Sequence, residues 1–171
     1  MPTVALINGH AFAAGFMTAM YHDYRFMNPH RGFLCLNELD FEAPLMPPMA
    51  SVFRQKLPRP DTYRTMVLES KRFNALESLK EGIVDGLGGW EETIEFIKEM
   101  KLVGRADSGV YGRLKEEMWR DSVALLEGGG KAEEDTARVR AAAQKQRDED
   151  SKRRVDEWEK EKMSNGRSNK L

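Results

Sequence analysis

The chain has 171 residues, 40% of them apolar and 32% charged, with a formal net charge of −1. That length suits one domain of ordinary size plus an appendage, and the balanced charge implies neither a nucleic-acid footprint nor a strongly acidic partner. The single cysteine, Cys35, leaves no internal disulfide and fits a reducing compartment, and no apolar run approaches the length that spans a bilayer.

Thr3 to Ile7, β-branched and aliphatic, reads as a strand already inside a domain, without the basic opening of a signal peptide. Asn8-Gly9-His10 is a turn, Ala13 to Met20 a helix of small residues, and Tyr24 to Met27 a returning strand. A second turn, Asn28 to Gly32, leads into the apolar strand Phe33 to Leu36, where Cys35 reads as a buried small residue. Pro44, Pro47 and Pro48 open a helix through about Lys56, and Asp61 is placed as the cap of a helix from Asp61 to Ser70. Leu76 to Glu81 is a short helix stopped by Gly82, with Ile83-Val84-Asp85 extended after it. Glu91 to Lys101 carries Ile94, Ile97 and Met100 at helical spacing. Tyr111, Leu114, Met118 and the Val123-Leu125-Leu126 group predict one last amphipathic helix.

Composition changes at Gly128-Gly129-Gly130, which divides the chain into a domain over 1–127 and a charged tail over 128–171. Between Lys131 and Lys162 stand ten Lys/Arg and ten Asp/Glu, with only Val139, Val155, Trp158 and a run of alanines between them. No continuous apolar stripe forms, so the tail is expected to be solvated, helical in part, with a flexible stretch at Ser164-Asn165-Gly166. It closes in Asn169-Lys170-Leu171, one residue away from the Ser-Lys-Leu peroxisomal address.

Two segments are candidates for chemistry. In Asn8 to Gly15 a strand delivers the chain through a turn into a helix of small side chains. A ligand can approach such a backbone closely, and the helix start offers unpaired N–H groups at the positive end of a dipole. That makes an oxyanion hole or anion site, or else a tight packing corner. In Leu36 to Glu42, Glu38 follows a buried strand, where desolvation suits a carboxylate to general-base work. Asp40 and Glu42 are alternatives, and a solvated loop acid is the plainer reading. His10, His22 and His30 show no metal-ligand spacing and read as structural or surface groups.

Taken together, these segments resemble the crotonase superfamily (enoyl-CoA hydratase/isomerase), and within it the peroxisomal 3,2-enoyl-CoA isomerases of fungi and plants. The resemblance rests on Thr3 to Ile7, Asn8-Gly9, the helix ending near His22-Asp23-Tyr24, Leu36-Asn37-Glu38, and Asn74 through Gly82-Ile83-Val84-Asp85. Tyr111-Gly112-Arg113-Leu114-Lys115 adds the start of a C-terminal helix, so that about Pro2 to Glu127 is covered. The implied fold is α/β: the C-terminal portion of a crotonase-like ββα spiral with late helices, followed by a charged helical or disordered tail.

The resemblance also implies roles. Hydratases of the family need a second carboxylate on the small-residue helix, and Met17 stands there, so hydration is not expected. Isomerisation of a 3-enoyl-CoA needs one proton shuttle, which falls to Glu38 as the catalytic residue. Ala14, where the family more often has glycine, supplies a backbone N–H to the oxyanion hole. Phe12, Phe16 and Met17, with Met20, either line the acyl site or fill the core. No metal or redox cofactor is implied, since the coenzyme A thioester is the substrate. Implied partners are that acyl-CoA, further copies in a trimer or hexamer through the late helices from Asp107 to Leu126, and the peroxisomal import receptor; the implied location is the peroxisomal matrix. Family members carry a preceding portion that supplies the other oxyanion donor and much of the CoA pocket. Nothing matching it precedes Pro2, so the chain is expected to be either a fragment or a short form. Three alternatives to an active isomerase stay open: an inactive acyl-CoA-binding or subunit-pairing member, an interaction protein working through its tail, and a related hydrolase or dehydratase using Asp40 or Glu42.

Overall fold

The computed structural model describes residues 1–128 and 131–168. It falls into two units, Met1–Glu127 and the part from Gly128 onward. The tripeptide Asn169-Lys170-Leu171 lies outside the described residues, as do Gly129 and Gly130 of the composition break.

The first unit starts with β1 (Val4–Ile7), β2 (Ala11–Phe12) and α1 (Ala14–Tyr21), then repeats the strand pair as β3 (Tyr24–Met27) and β4 (Leu34–Cys35). The second turn of chain stacks on the first. β1 pairs with β3 in parallel, Val4 opposite Tyr24 through Ile7 opposite Met27, and β2 pairs with β4 in parallel, Phe12 opposite Cys35. Parallel neighbours need a crossover, and α1 with the Asn28–Gly32 turn supplies it. Gly32 is required in that turn: its φ is +96°, and a Cβ there would stand 2.2 Å from the Gly9 carbonyl oxygen.

Helices cover this core. Prolines open both α2 (Pro47–Lys56) and α3 (Pro60–Leu68). Asp61 is therefore not the cap expected of it. The helix begins one residue earlier, at Pro60, and Asp61 sits in its first turn, paired with the Arg59 guanidinium at 2.7 Å. α4 (Ala75–Lys80) starts on a reciprocal capping box, the Asn74 side chain accepting from Glu77 N–H while Glu77 accepts from Asn74 N–H. The segment expected to be extended at Ile83–Asp85 leads into β5 (Gly86–Leu87), which pairs with β3. Gly86 can sit opposite Phe26 because a Cβ there would meet the ring at 2.5 Å. After α5 (Trp90–Glu99), the single last helix of the sequence reading divides at Trp119 into α6 (Val110–Met118) and α7 (Arg120–Glu127). Trp119 has φ −107° and packs against the core.

Phe16, Met20, Met27, Leu34, Leu36, Val52, Phe53, Met66 and Ile83 are almost wholly buried and make the centre of this unit. The second unit is one helix, α8 (Lys131–Ser168). Val139, Val155 and Trp158 are all more than half exposed on it, as a helix polar on every side requires. No helix among the described residues is long and apolar enough to cross a membrane.

Candidate active site

The parallel pair β2–β4 sends both candidate segments out of the same end. Beyond the registered pair Phe12 and Cys35, the Ala13 N–H donates to the Cys35 carbonyl at 3.0 Å. One chain then turns into α1 at Ala14 and the other reaches Glu38 three residues on. With neighbouring strands about 4.8 Å apart, the start of α1 and the end of β4 leave the sheet side by side. Crevices beyond the carboxyl ends of parallel strands are where such folds bind ligands.

On the α1 side, Ala13 adopts φ +46° and ψ −123°, a conformation that alanine rarely holds. Its N–H is tied to β4, and its carbonyl accepts the Met17 N–H at 3.0 Å, so both faces of the strained peptide are fixed. The strain turns the chain sharply into the helix. Ala14 and Gly15 are exposed at the helix start, and a Cβ built on Gly15 meets nothing within 4 Å. First-turn N–H groups have no partner inside a helix, so the Ala14 N–H is left without a helical acceptor. A groove of about 610 Å³ runs from this point along β1, lined by Ala5, Ile7, Gly9, Phe12 and Gly15 among others.

On the β4 side, Glu38 opens a short 3₁₀ turn, Glu38–Phe41. The residue is 9% exposed, and its Oε2 atom is out of water without any hydrogen-bond partner. A buried carboxylate oxygen left in this state is costly and rare. Glu38 faces a pocket of about 190 Å³ whose other walls include Leu36, Leu39, Leu45, Val67 and Leu68. Asp40 and Glu42, the neighbouring acids, are both exposed, Glu42 in a left-handed conformation that ends the turn. Of the three carboxylates, Glu38 alone is enclosed. Asn37 beside it likewise holds a buried, unpartnered Oδ1.

The other residues singled out from sequence scatter. Phe12 is half-buried, with the Arg72 guanidinium over its ring at 5.6 Å and His10 edge-on at 5.5 Å. Phe16 is fully buried and meets Phe53 edge-on at 5.2 Å, while Met17 and Met20 belong to the same core. His10 stacks on Phe33, and His22 Nδ1 lies 2.9 Å from the Thr18 carbonyl. No group of three metal-ligating side chains converges among the described residues.

A charged cluster at the other end of the strands escaped the sequence reading. Arg25 on β3 is 4% exposed. It donates through Nε to the Ile83 carbonyl at 2.7 Å and pairs through Nη2 with Asp85 at 2.7 Å. Asp85 also accepts from the Arg25 N–H at 2.8 Å. Asp23 accepts from Thr3 N–H, Thr3 Oγ1 and Lys115 Nζ. Burial pushes its carboxyl up, but Lys115 and Thr3 more than offset that and hold it below the ordinary range. Lys56 reaches the His22 carbonyl and lies 4.9 Å above the Trp119 ring. Burial, then the nearby Arg25, push its ammonium down to about 7. This cluster ties α2, β5 and α6 to the sheet. The signal available in sequence was the Gly82-Ile83-Val84-Asp85 run, whose aspartate proves to be the partner of Arg25.

The chain is 36% identical over 149 residues to enoyl-CoA delta isomerase 1, peroxisomal, of Arabidopsis thaliana, covering 85% of this chain and 61% of that protein. It is 30% identical over 131 residues to enoyl-CoA delta isomerase 2, peroxisomal, of the same plant, covering 74% of this chain and 55% of that one. Thus it spans less than two thirds of the length of either relative. A probable enoyl-CoA hydratase of Mycobacterium tuberculosis H37Rv shares the fold, with a TM-score of 0.63 at 18% identity over 78% of this chain and 57% of that one. No family model matches.

Proposed function

The chain belongs to the enoyl-CoA hydratase/isomerase (crotonase) family, and on that premise we propose that it isomerises 3-enoyl-CoA thioesters to their 2-trans isomers, with Glu38 as the proton carrier. One observation carries the reading: a carboxylate oxygen buried without a partner, at the strand end that adjoins the start of α1.

The chemistry needs one base and one anion site. Glu38 takes a proton from C2, the electrons pass through a dienolate, and the same carboxyl returns the proton at C4. The double bond thereby moves from C3–C4 to C2–C3, and the enzyme ends as it began. An oxygen free of internal hydrogen bonds is available to accept that proton. The negative thioester oxygen of the dienolate falls to the Ala14 N–H, pre-aimed by the strained Ala13 peptide. Water addition would need a second acid–base group on α1, where Met17 is buried and apolar. A single proton shuttle calls for no cofactor beyond the coenzyme A of the substrate. The names of the two plant relatives support an enoyl-CoA isomerase in the peroxisome; the role we propose for it there is in the oxidation of unsaturated acyl chains, with the closing tripeptide offered to the import receptor. As in the family, the late helices are proposed to join copies into an oligomer.

Spectrophotometric assay of a 3-enoyl-CoA tests the reading. Glu38→Gln is expected to lower kcat by about 10²–10⁴-fold with KM little changed; full activity in that variant removes the mechanism. A second reading, an inactive subunit-pairing member, is favoured by β1, which has a strand partner on one side only among the described residues. Stable co-elution with a full-length isomerase, with no turnover by the chain alone, would select it.

A further inference from the structure

We propose that Lys56 is a site of acylation by coenzyme A thioesters, and that the amide formed there rests its carbonyl oxygen on the Trp119 indole N–H. The proposal stands apart from the isomerase reading, because acetyl-CoA suffices as the donor and Glu38 takes no part.

Lys56 ends α2 and is half-buried. Its Nζ donates to the His22 carbonyl and lies 4.9 Å above the Trp119 ring. Asp23 and Asp85, the carboxylates that favour its charge, are already engaged, by Lys115 at 2.9 Å and by Arg25 at 2.7 Å. The ammonium therefore shares its surroundings with two other cations, both of them closer to the available counter-charge. Beneath it the Trp119 Nε1–H is shut off from water and has no acceptor, a state that folded chains seldom leave uncorrected.

An N-acyl group answers each of these faults. Its N–H keeps the bond to the His22 carbonyl, it carries no charge, and its oxygen is the acceptor that the indole lacks. The reaction needs only the thioester. Burial, then the nearby Arg25, hold the ammonium down at about 7, so at pH 8 most of the amine is neutral and able to attack the thioester carbonyl carbon. The N–C bond forms, the C–S bond breaks with its electron pair going to sulfur, and the proton displaced from nitrogen passes to the thiolate. Gln55 and Pro58 are exposed, which leaves this end of α2 open to a thioester in solution.

Incubation of the full chain with acetyl-CoA at pH 8, followed by peptide mass spectrometry, tests the proposal. Lys56 should take the label about tenfold faster than an ordinary lysine, which is almost wholly protonated at that pH; the exposed Lys98 serves as the reference. Lys56→Arg should remove the fast phase. Once acetylated, the chain should show at pH 7 the higher denaturant midpoint that the unmodified chain reaches only at pH 9, since the amide leaves no charge to bury. The Trp119 indole proton resonance, assigned with Trp90→Phe and Trp158→Phe at exposed positions, should move downfield as it gains an acceptor. Lys56 labelled no faster than Lys98, a fast phase that survives Lys56→Arg, a midpoint unchanged or lowered by the label, or an indole resonance that stays in place overturns the proposal.

Discussion

Asp23 and Glu38 are both buried carboxylates at strand ends, and the protein treats them in opposite ways. Asp23, with a side chain 6% exposed, is saturated by Thr3 and Lys115 and stands beside the Arg25–Asp85 pair. Glu38, 9% exposed, has an oxygen with no protein partner. A folded chain satisfies its buried polar groups wherever stability is the only demand. Asp23, at the entry to β3, meets that rule and fastens helices to strands, although the Trp119 Nε1 beneath Lys56 has no partner. Glu38, after β4 in the other sheet, breaks it with a carboxylate, and an unpaired acid of that kind belongs where a group must remain free to bind or move a proton.

The contrast is most exposed to failure at Asp85. Truncating it in Asp85→Ala leaves the Arg25 guanidinium buried among carbonyl groups without its counter-charge. Because Asp85 is itself partly exposed, the loss of its pair with buried Arg25 is expected to cost about 1–3 kcal/mol, read as a lower denaturant midpoint. An unchanged midpoint would mean that the paired end is not what holds the fold.

The same division explains what could be read from residues alone. β1 was legible because four consecutive aliphatic residues in a short run have few other uses, β3 because Tyr24, Phe26 and Met27 outweigh the one charge among them, and Glu38 because an acid closes an apolar run. Arg25 was not, since a charge within a strand ordinarily marks a solvated face; its partners, Ile83 and Asp85, lie 58 and 60 residues away. Phe16 and Met17 could line a ligand pocket or fill a core, with the core as the default, and packing places them there, Phe16 against Phe53. The break at Trp119 was hidden because apolar spacing continues across it, while the bend answers to tertiary packing. In α8 the charge pattern told of solvation but not of a continuous helix. There the side-chain pairs Gln144–Asp148 and Arg153–Asp150 support the turns.

A smaller effect sharpens the comparison within the paired end itself. Lys56 titrates near 7 when folded, pushed down by burial and by Arg25, against the pull of Asp23 and Asp85 and with Lys115 adding to the repulsion. Its unfolded value is near 10.5, so between these limits the unfolded chain binds the extra proton. Stability should therefore rise with pH across that window, and the penalty for burying Lys56 should be complete below about 7. From pH 7 to 9 the expected gain is on the order of 2 kcal/mol, measured by chemical denaturation. Lys56→Met should abolish the slope. A wild-type profile that is flat or falling there would show that Lys56 reaches water.

The smallest expected effect is the one that bears most directly on Glu38. If its carboxylate is held unsatisfied for chemistry, the fold gains nothing from it, and Glu38→Leu should keep or raise stability, by about 1 kcal/mol, while turnover disappears. A leucine fits the lining, which already includes Leu36, Leu39, Leu45 and Leu68. Asp23→Leu, by contrast, should lower the midpoint, because it strands Lys115 and the Thr3 N–H and hydroxyl that it now satisfies. Paired thermal melts of the two variants decide the matter. Opposite signs support a division between a fastening acid and a working one; a Glu38→Leu loss as large as that of Asp23→Leu makes Glu38 a structural residue and leaves the proton without a carrier.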